Sequence, residues 1–257
     1  MGDLAGQVVL VTGASSGIGA ACSRAFAAEE ARLIIVARRI ERLRELKSVL
    51  EGLGAPAVLP IELDVRDNAA VTEAIRGLPD DWQAIEVLVG NAGLSRGLDR
   101  LHQGRLSDWN EMIDTNVKGL LHVDRAVVPL MVARGRGIVV HIGSIAGRQV
   151  YPGGNVYCAT KHAVRALTDG LRLDLSGTGI RVTSVDPGLV ETEFSEVRFH
   201  GDREKASKVY DGLTPLTAED VAEIVLFAAT RPAHVTIADV MVLPSDQASA
   251  NHIHRRA

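Results

Sequence analysis

The sequence predicts an α/β fold: a doubly wound parallel sheet of about seven strands with helices on both faces. Three observations predict it. Short runs rich in Val and Ile alternate with longer amphipathic runs along the whole chain, the pattern of βαβ units. Those short runs are apolar throughout, as strands covered on both faces require. The first of them leads directly into a glycine-rich turn and a helical pattern.

The strand-like runs lie at 7–12, 32–37, 57–64, 84–90, 137–143, 180–186 and 238–243. Helical spacing is plain at 40–53 and 156–175. A further helix over 217–229 opens on a capping-box pattern, Thr217 followed by Asp220, with Pro215 just upstream. The stretch 190–216 has short helical hints but no strand, and insertions of this kind often serve as lids. No repeat, low-complexity tract or linker interrupts the chain, so residues 1–257 read as one domain.

At 257 residues and 46% hydrophobic, the chain can bury a large core. Its net charge of −4 is spread without blocks, which points away from nucleic acid and from an acidic membrane surface as partners. Cys22 and Cys158 are far apart and show no metal-type spacing. A reducing compartment without disulfides is expected. The N-terminus does not read as a signal peptide. No apolar run approaches the ~18 residues of a membrane span, so the expectation is a soluble, cytoplasmic protein.

"VVLVTGASSGIG" places Gly13, Gly17 and Gly19 between the first strand and its helix. Glycine permits a tight turn and close approach of a phosphate to the backbone. The helix start offers free N–H groups and a positive dipole end. A dinucleotide site of Rossmann type follows from that context. The second strand ends in Arg38 and Arg39, where an NAD site usually carries an acid. Two arginines suit a 2′-phosphate, and Ser15 can add a donor. NADP is therefore expected in preference to NAD.

Further along, Tyr157 and Lys161 stand four apart in a helical pattern, so both side chains lie on one face. "TGASSGIG", "NAG" at 91–93, Asn116, Ser144, "YCATK" at 157–161 and "DPGLVET" at 186–192 follow in order. Together these resemble the short-chain dehydrogenases/reductases, over nearly the whole chain. "MIDTNVKGLL", "LRLDLSGTGIRVT" and "PGLVETEFSEVRF" resemble the NADP-dependent 3-hydroxy acid dehydrogenases within that family.

The resemblance implies a catalytic set of Asn116, Ser144, Tyr157 and Lys161. Tyr157 is the implied general acid/base, with Lys161 expected to lower its pKa. Ser144 is expected to hold the substrate oxygen, and Asn116 a relay water. Cofactor contacts are implied at Gly13, Ser15, Ser16, Gly17, Ile18, Gly19, Arg38, Arg39, Asp64, Val65, Asn91, Ala92, Gly93, Tyr157 and Lys161. Pro187, Gly188, Val190 and Thr192 are the implied turn around the nicotinamide.

Two departures stand out. Gly90 replaces an Asn that commonly braces the sheet, which puts local stability in doubt. Arg148 with Gln149 replaces a small or amide residue followed by Trp, in a loop expected to line the substrate pocket. For a hydroxy-acid carboxylate, Arg148, Asn155 and Arg198 are the candidate clamps beside Ser144. "HIH" at 252–254 lacks further ligands, so no metal is expected, and the tail reads as flexible or docked at an interface. The resemblance implies a homotetramer. A reductase of a larger ketone or aldehyde is the alternative. A cofactor sensor would not need Ser144, Asn116, Tyr157 and Lys161, and a scaffold would need neither these nor the glycine turn.

Overall fold

Each of the seven apolar runs forms a strand in the computed structural model, which describes residues 4–256. The strands are β1 Val8–Thr12, β2 Arg32–Ala37, β3 Val58–Glu62, β4 Ile85–Gly90, β5 Gly137–Ile142, β6 Ile180–Pro187 and β7 Asp239–Val242. They pair in the order β3-β2-β1-β4-β5-β6-β7, every pair parallel. The chain winds outward from β1 to β3, crosses back to β4 and winds the other way. That reversal leaves a crevice beyond the carboxyl ends of β1 and β4, where open α/β sheets bind ligands.

Period-two alternation explains the two cores. Val9 and Val11 of β1 face one layer, with α1 Gly17–Ala28, α2 Ile40–Gly52 and α9 Ala218–Ala229. Val8 and Leu10 face the other, with α3 Asn68–Arg76, α5 Leu120–Arg134 and the end of α6 Asn155–Asp174. Burying both sides of β1, β2, β4, β5 and β6 accounts for their unbroken apolar runs, whereas the edge strands β3 and β7 are only partly covered. Asp67 caps α3 by accepting from the N–H groups of Ala69 and Ala70. The capping box at Thr217 and Asp220 forms as expected, with Thr217 Oγ1 accepting from Asp220 N at 3.1 Å.

Between β4 and α5 the chain forms α4 Leu106–Ile113 and then a wide π turn, Asp114–Gly119. Within 190–216 lie α7 Phe194–Arg198 and α8 Arg203–Lys208. The segment leaves and returns at one place: Glu191 N donates to Leu216 O and Leu216 N to Leu189 O, both at 2.9 Å. Among the described residues no helix is long and apolar enough to cross a membrane.

Gly90 does not leave the sheet unbraced. A side chain there would meet His141 Cδ2 at 2.8 Å and Leu120 Cδ1 at 2.9 Å. His141, paired with Gly90 in the β4–β5 register, fills the space. Its ring is fully buried, with Nδ1 at 2.9 Å from Thr168 Oγ1 and Nε2 at 3.1 Å from Asp124 Oδ1. The doubt over local stability is thus answered by a histidine from the neighbouring strand.

Candidate active site

The glycine turn is held from beneath by the β4 loop. Asn91 Nδ2 donates to Thr12 O at 2.9 Å, and the N–H groups of Asn91 and Ala92 both donate to Thr12 Oγ1 at 3.0 Å. Gly13 and Gly17 have φ of +66° and +51°, the region that favours glycine. At Gly19 a Cβ would stand 2.4 Å from Gly13 O, so helix α1 can begin this close to the turn only without a side chain. The result is a bare backbone cradle at a helix N-terminus, which fits a pyrophosphate.

The cleft has two connected parts that share Gly13, Ser16, Gly93 and Val197. One part is lined by Ser15, Arg38, Arg39, Asp64, Val65 and Ala92. The other holds Ile18, Asn91, Ser144, Tyr157, Lys161, Pro187, Gly188, Val190 and Thr192. Of the expected cofactor residues, only Gly19 lies behind the surface, where it shapes the turn. Arg39 Nη2 donates to the hydroxyls of Ser15 and Ser16 at 3.0 Å. Arg39 and Arg42 also share Glu193, at 3.1 and 2.6 Å. Burial opposes ionisation of Glu193, but these bonds hold its carboxyl below the usual range. Asp64 is paired with Arg66, whose hydrogen bond lowers its carboxyl.

At the inner end of the cleft lie Ser144, Tyr157 and Lys161, all buried. Ser144 begins the turn after β5, and its Oγ accepts from Ala146 N at 3.1 Å. Lys161 Nζ donates to Ile142 O at 2.8 Å. Burial pushes its ammonium down from 10.5 to about 8, against the pull of Asp186. Burial, reinforced by Tyr151, pushes the Tyr157 phenol above its usual value, while Arg198 and Ser144 pull the other way. The protein alone therefore does not depress the phenol as expected, because desolvation outweighs the pull of Arg198 and Ser144.

Asn116 sits in the π turn and is 2% exposed. Its Nδ2 donates to Leu94 O at 2.8 Å and to Thr160 Oγ1 at 3.1 Å, and its Oδ1 accepts from Leu94 N at 2.8 Å. A wide turn at a functional site is a known use of this geometry, and it explains a buried Asn in a helical pattern.

The three candidate clamps part company. Arg148 is turned away from the cleft: its Nε donates to Asp186 Oδ2 at 2.7 Å, and its Nη2 pairs with Asp239. The loop after it meets the C-terminal tail rather than a substrate pocket, since Gln149 Oε1 accepts from Ala250 N at 2.8 Å. Asn155 begins α6 and is spent on Asp99 O at 3.1 Å and Val156 N at 2.7 Å. Arg198, by contrast, lies against Tyr157. Its Cζ is 5.3 Å from the Tyr157 ring centre, 5.1 Å from Phe194 and 5.9 Å from Tyr151. It donates to Ser95 Oγ at 3.1 Å and Tyr151 OH at 2.9 Å. It is 8% exposed, and no carboxylate among the described residues pairs with it.

The tail docks on its own chain. Arg255 reaches Val209 O at 3.0 Å, and Arg256 N donates to Gly212 O at 2.7 Å. Gln247 Oε1 accepts from Leu189 N at 2.8 Å, beside Gly188. Glu193, Phe194 and Gln247 carried no sequence signal for these contacts.

Residues 7–202 match the family model described as short chain dehydrogenase. The chain is 46% identical over 257 residues to the NADP-dependent 3-hydroxy acid dehydrogenase of Schizosaccharomyces pombe, covering 100% of this chain and 99% of that protein. It is 50% identical over 251 residues to the NADP-dependent 3-hydroxy acid dehydrogenase YdfG of Salmonella typhi, covering 97% and 100%. A closed form of serine dehydrogenase complexed with NADP+ superposes with a TM-score of 0.91 at 46% identity, covering 97% of this chain and 100% of that one. Serine dehydrogenase from Escherichia coli does so at 0.82 and 42%, covering 94% and 100%.

Proposed function

The chain belongs to the short-chain dehydrogenase family, and from that premise we propose that it interconverts a small 3-hydroxy acid and its carbonyl form with NADP. The observation that carries the acid is Arg198. A buried guanidinium without a carboxylate is costly, and three aromatic rings offset that cost only in part. A substrate carboxylate is the partner it lacks. The names of the relatives support the same substrate class and cofactor.

When bound, a nicotinamide cofactor supplies the hydride acceptor for alcohol oxidation. The cradle of Gly13, Gly17 and Gly19 would hold its pyrophosphate, and Arg38 and Arg39 with Ser15 its 2′-phosphate. Tyr157, ionised by loss of its proton to solvent, takes the alcohol proton on its phenolate oxygen and becomes the phenol; in the reverse direction it gives that proton back. Ser144 Oγ holds the same substrate oxygen through the change in charge. The Lys161 ammonium stabilises the tyrosinate that accepts this proton. Asn116 shapes the turn beside Thr160, from which a water can reach Lys161.

The reading takes residues 1–257 as one domain, with 190–216 as a lid in a cytoplasmic enzyme. It also takes four copies as the working form. Support comes from the exposed Leu121 and Leu173, and from a mostly apolar groove between α5 and α6 lined by Leu121, Val128, Pro129, Leu167 and Leu171. Light scattering on the purified protein tests that assembly.

The test of function is NADP+ reduction with L-serine, L-allo-threonine, 3-hydroxypropionate and 3-hydroxyisobutyrate, with NAD+ as control. Tyr157→Phe should abolish it. Arg198→Met should lower kcat/KM for the acid roughly 10- to 100-fold, the loss of a charge-assisted hydrogen bond, and barely alter a neutral alcohol of the same size. Equal losses on acid and neutral alcohol would remove Arg198 from the substrate site.

A further inference from the structure

We propose that Asp186 is a positioning residue for Lys161: a buried carboxylate, fixed by Ser184 and Arg148 beneath the Ile142–Gly143–Ser144 turn, that keeps the lysine charged. The inference rests on the reading of Lys161 as the cation of the Tyr–Lys pair.

The sheet brings the two together. Ile142 pairs with Val185 in the β5–β6 register, and Gly143 N donates to Val185 O at 2.8 Å. One residue on, Asp186 is 1% exposed. A Cβ on Gly143 would stand 1.9 Å from Asp186 Oδ1, so the carboxylate packs directly against that backbone. The carbonyl immediately before Gly143 is the one that accepts from Lys161 Nζ at 2.8 Å. Asp186 itself is fully engaged: Oδ1 accepts from Ser184 Oγ at 2.6 Å and Oδ2 from Arg148 Nε at 2.7 Å. Arg148 continues to Asp239 on β7, so alternating charges run from the sheet edge to Asp186.

Among the described residues, Asp186 is the one anion that acts on Lys161. The β5 turn presents the Ile142 carbonyl and the Ser144 hydroxyl. The π turn presents neutral Asn116, bonded to Thr160 of α6. Its own helix presents the Tyr157 phenol, with the Arg198 cation beyond that ring. Glu193, on the far wall of the cleft, is committed to Arg39 and Arg42. An opposite charge favours the ionised lysine, against the burial that disfavours it. This also gives Arg148 a purpose: it orients the carboxylate.

The test reads the Lys161 ammonium directly, by 15N NMR of the cofactor-free protein titrated with pH. Asp186→Asn should lower the Lys161 midpoint by about one pH unit. The double variant Asp186→Asn/Arg148→Met should also lower it, and avoids leaving the guanidinium against an amide N–H, so a fold lost in one variant can be kept in the other. Arg148→Met alone retains the carboxylate and should leave the midpoint at or above that of the parent. An unmoved midpoint in the Asp186 variants overturns the proposal, as does an equal fall in Arg148→Met. In turnover, Asp186→Asn should move the alkaline limb of kcat in the same direction, with KM for NADP+ little changed. The NMR result stands whatever the substrate proves to be, so it separates failure of this inference from failure of the substrate reading.

Discussion

Lys161→Met removes a buried ammonium and should change how stability depends on pH. In the folded protein the lysine titrates at about 8, below its ordinary 10.5. The fold therefore disfavours the charged form, and that cost is present in full below about pH 8. Between about 8 and 10.5 the unfolded chain holds the proton that the folded one has released, so stability rises with pH. The gap is worth about 3 kcal/mol at about 1.4 kcal/mol per pH unit. The methionine variant lacks this rise, although it leaves Ile142 O without its donor at a cost of about 1–3 kcal/mol. Urea unfolding of both proteins at intervals from pH 7 to 10 reads the difference. The parent should gain roughly 2–3 kcal/mol relative to the variant across that range. A stability difference that stays constant from pH 7 to 10 would refute the assignment of a depressed, buried ammonium to Lys161.

Three other outcomes follow from the same geometry. Arg39→Ala should raise KM for NADP+ about 10- to 100-fold with NAD+ little affected, as loss of a charged phosphate contact implies; steady-state rates with both cofactors check it. Gly90→Asn should destabilise the protein by about 1–3 kcal/mol, because the new side chain collides with His141. Combined with His141→Ala it should cost less than the two single changes together, which a double-mutant cycle by thermal or urea unfolding measures. Removal of residues 254–257 takes away the contacts of Arg255 and Arg256 with Val209 and Gly212. It should speed proteolysis within 190–216 and raise KM more than it lowers kcat.

What could be read from the sequence was what short-range patterns encode. All seven strands, the glycine turn, the capping box at Thr217 and the Tyr157–Lys161 spacing each depend on residues close together in the chain. Their physics is local: backbone freedom, side-chain period, helix capping. Most other cleft residues followed because they sit at or just after a strand end, and a parallel sheet gathers those ends along one edge. Arg148 could not be read in this way. Its partners, Asp186 and Asp239, lie 38 and 91 residues further on. Nothing near it in sequence distinguishes a substrate clamp from a structural ion pair. The same limit hid His141 behind Gly90, Gln247 beside Gly188 and the tail against the segment 190–216. Tyr157 shows it for chemistry: its four-residue spacing to Lys161 was visible, but burial governs the phenol, and burial belongs to the folded chain as a whole. The sequence by itself determined the strands, the glycine turn and the Tyr157–Lys161 spacing, and only the tertiary structure decided what each group faces, because desolvation and charge pairing act through space.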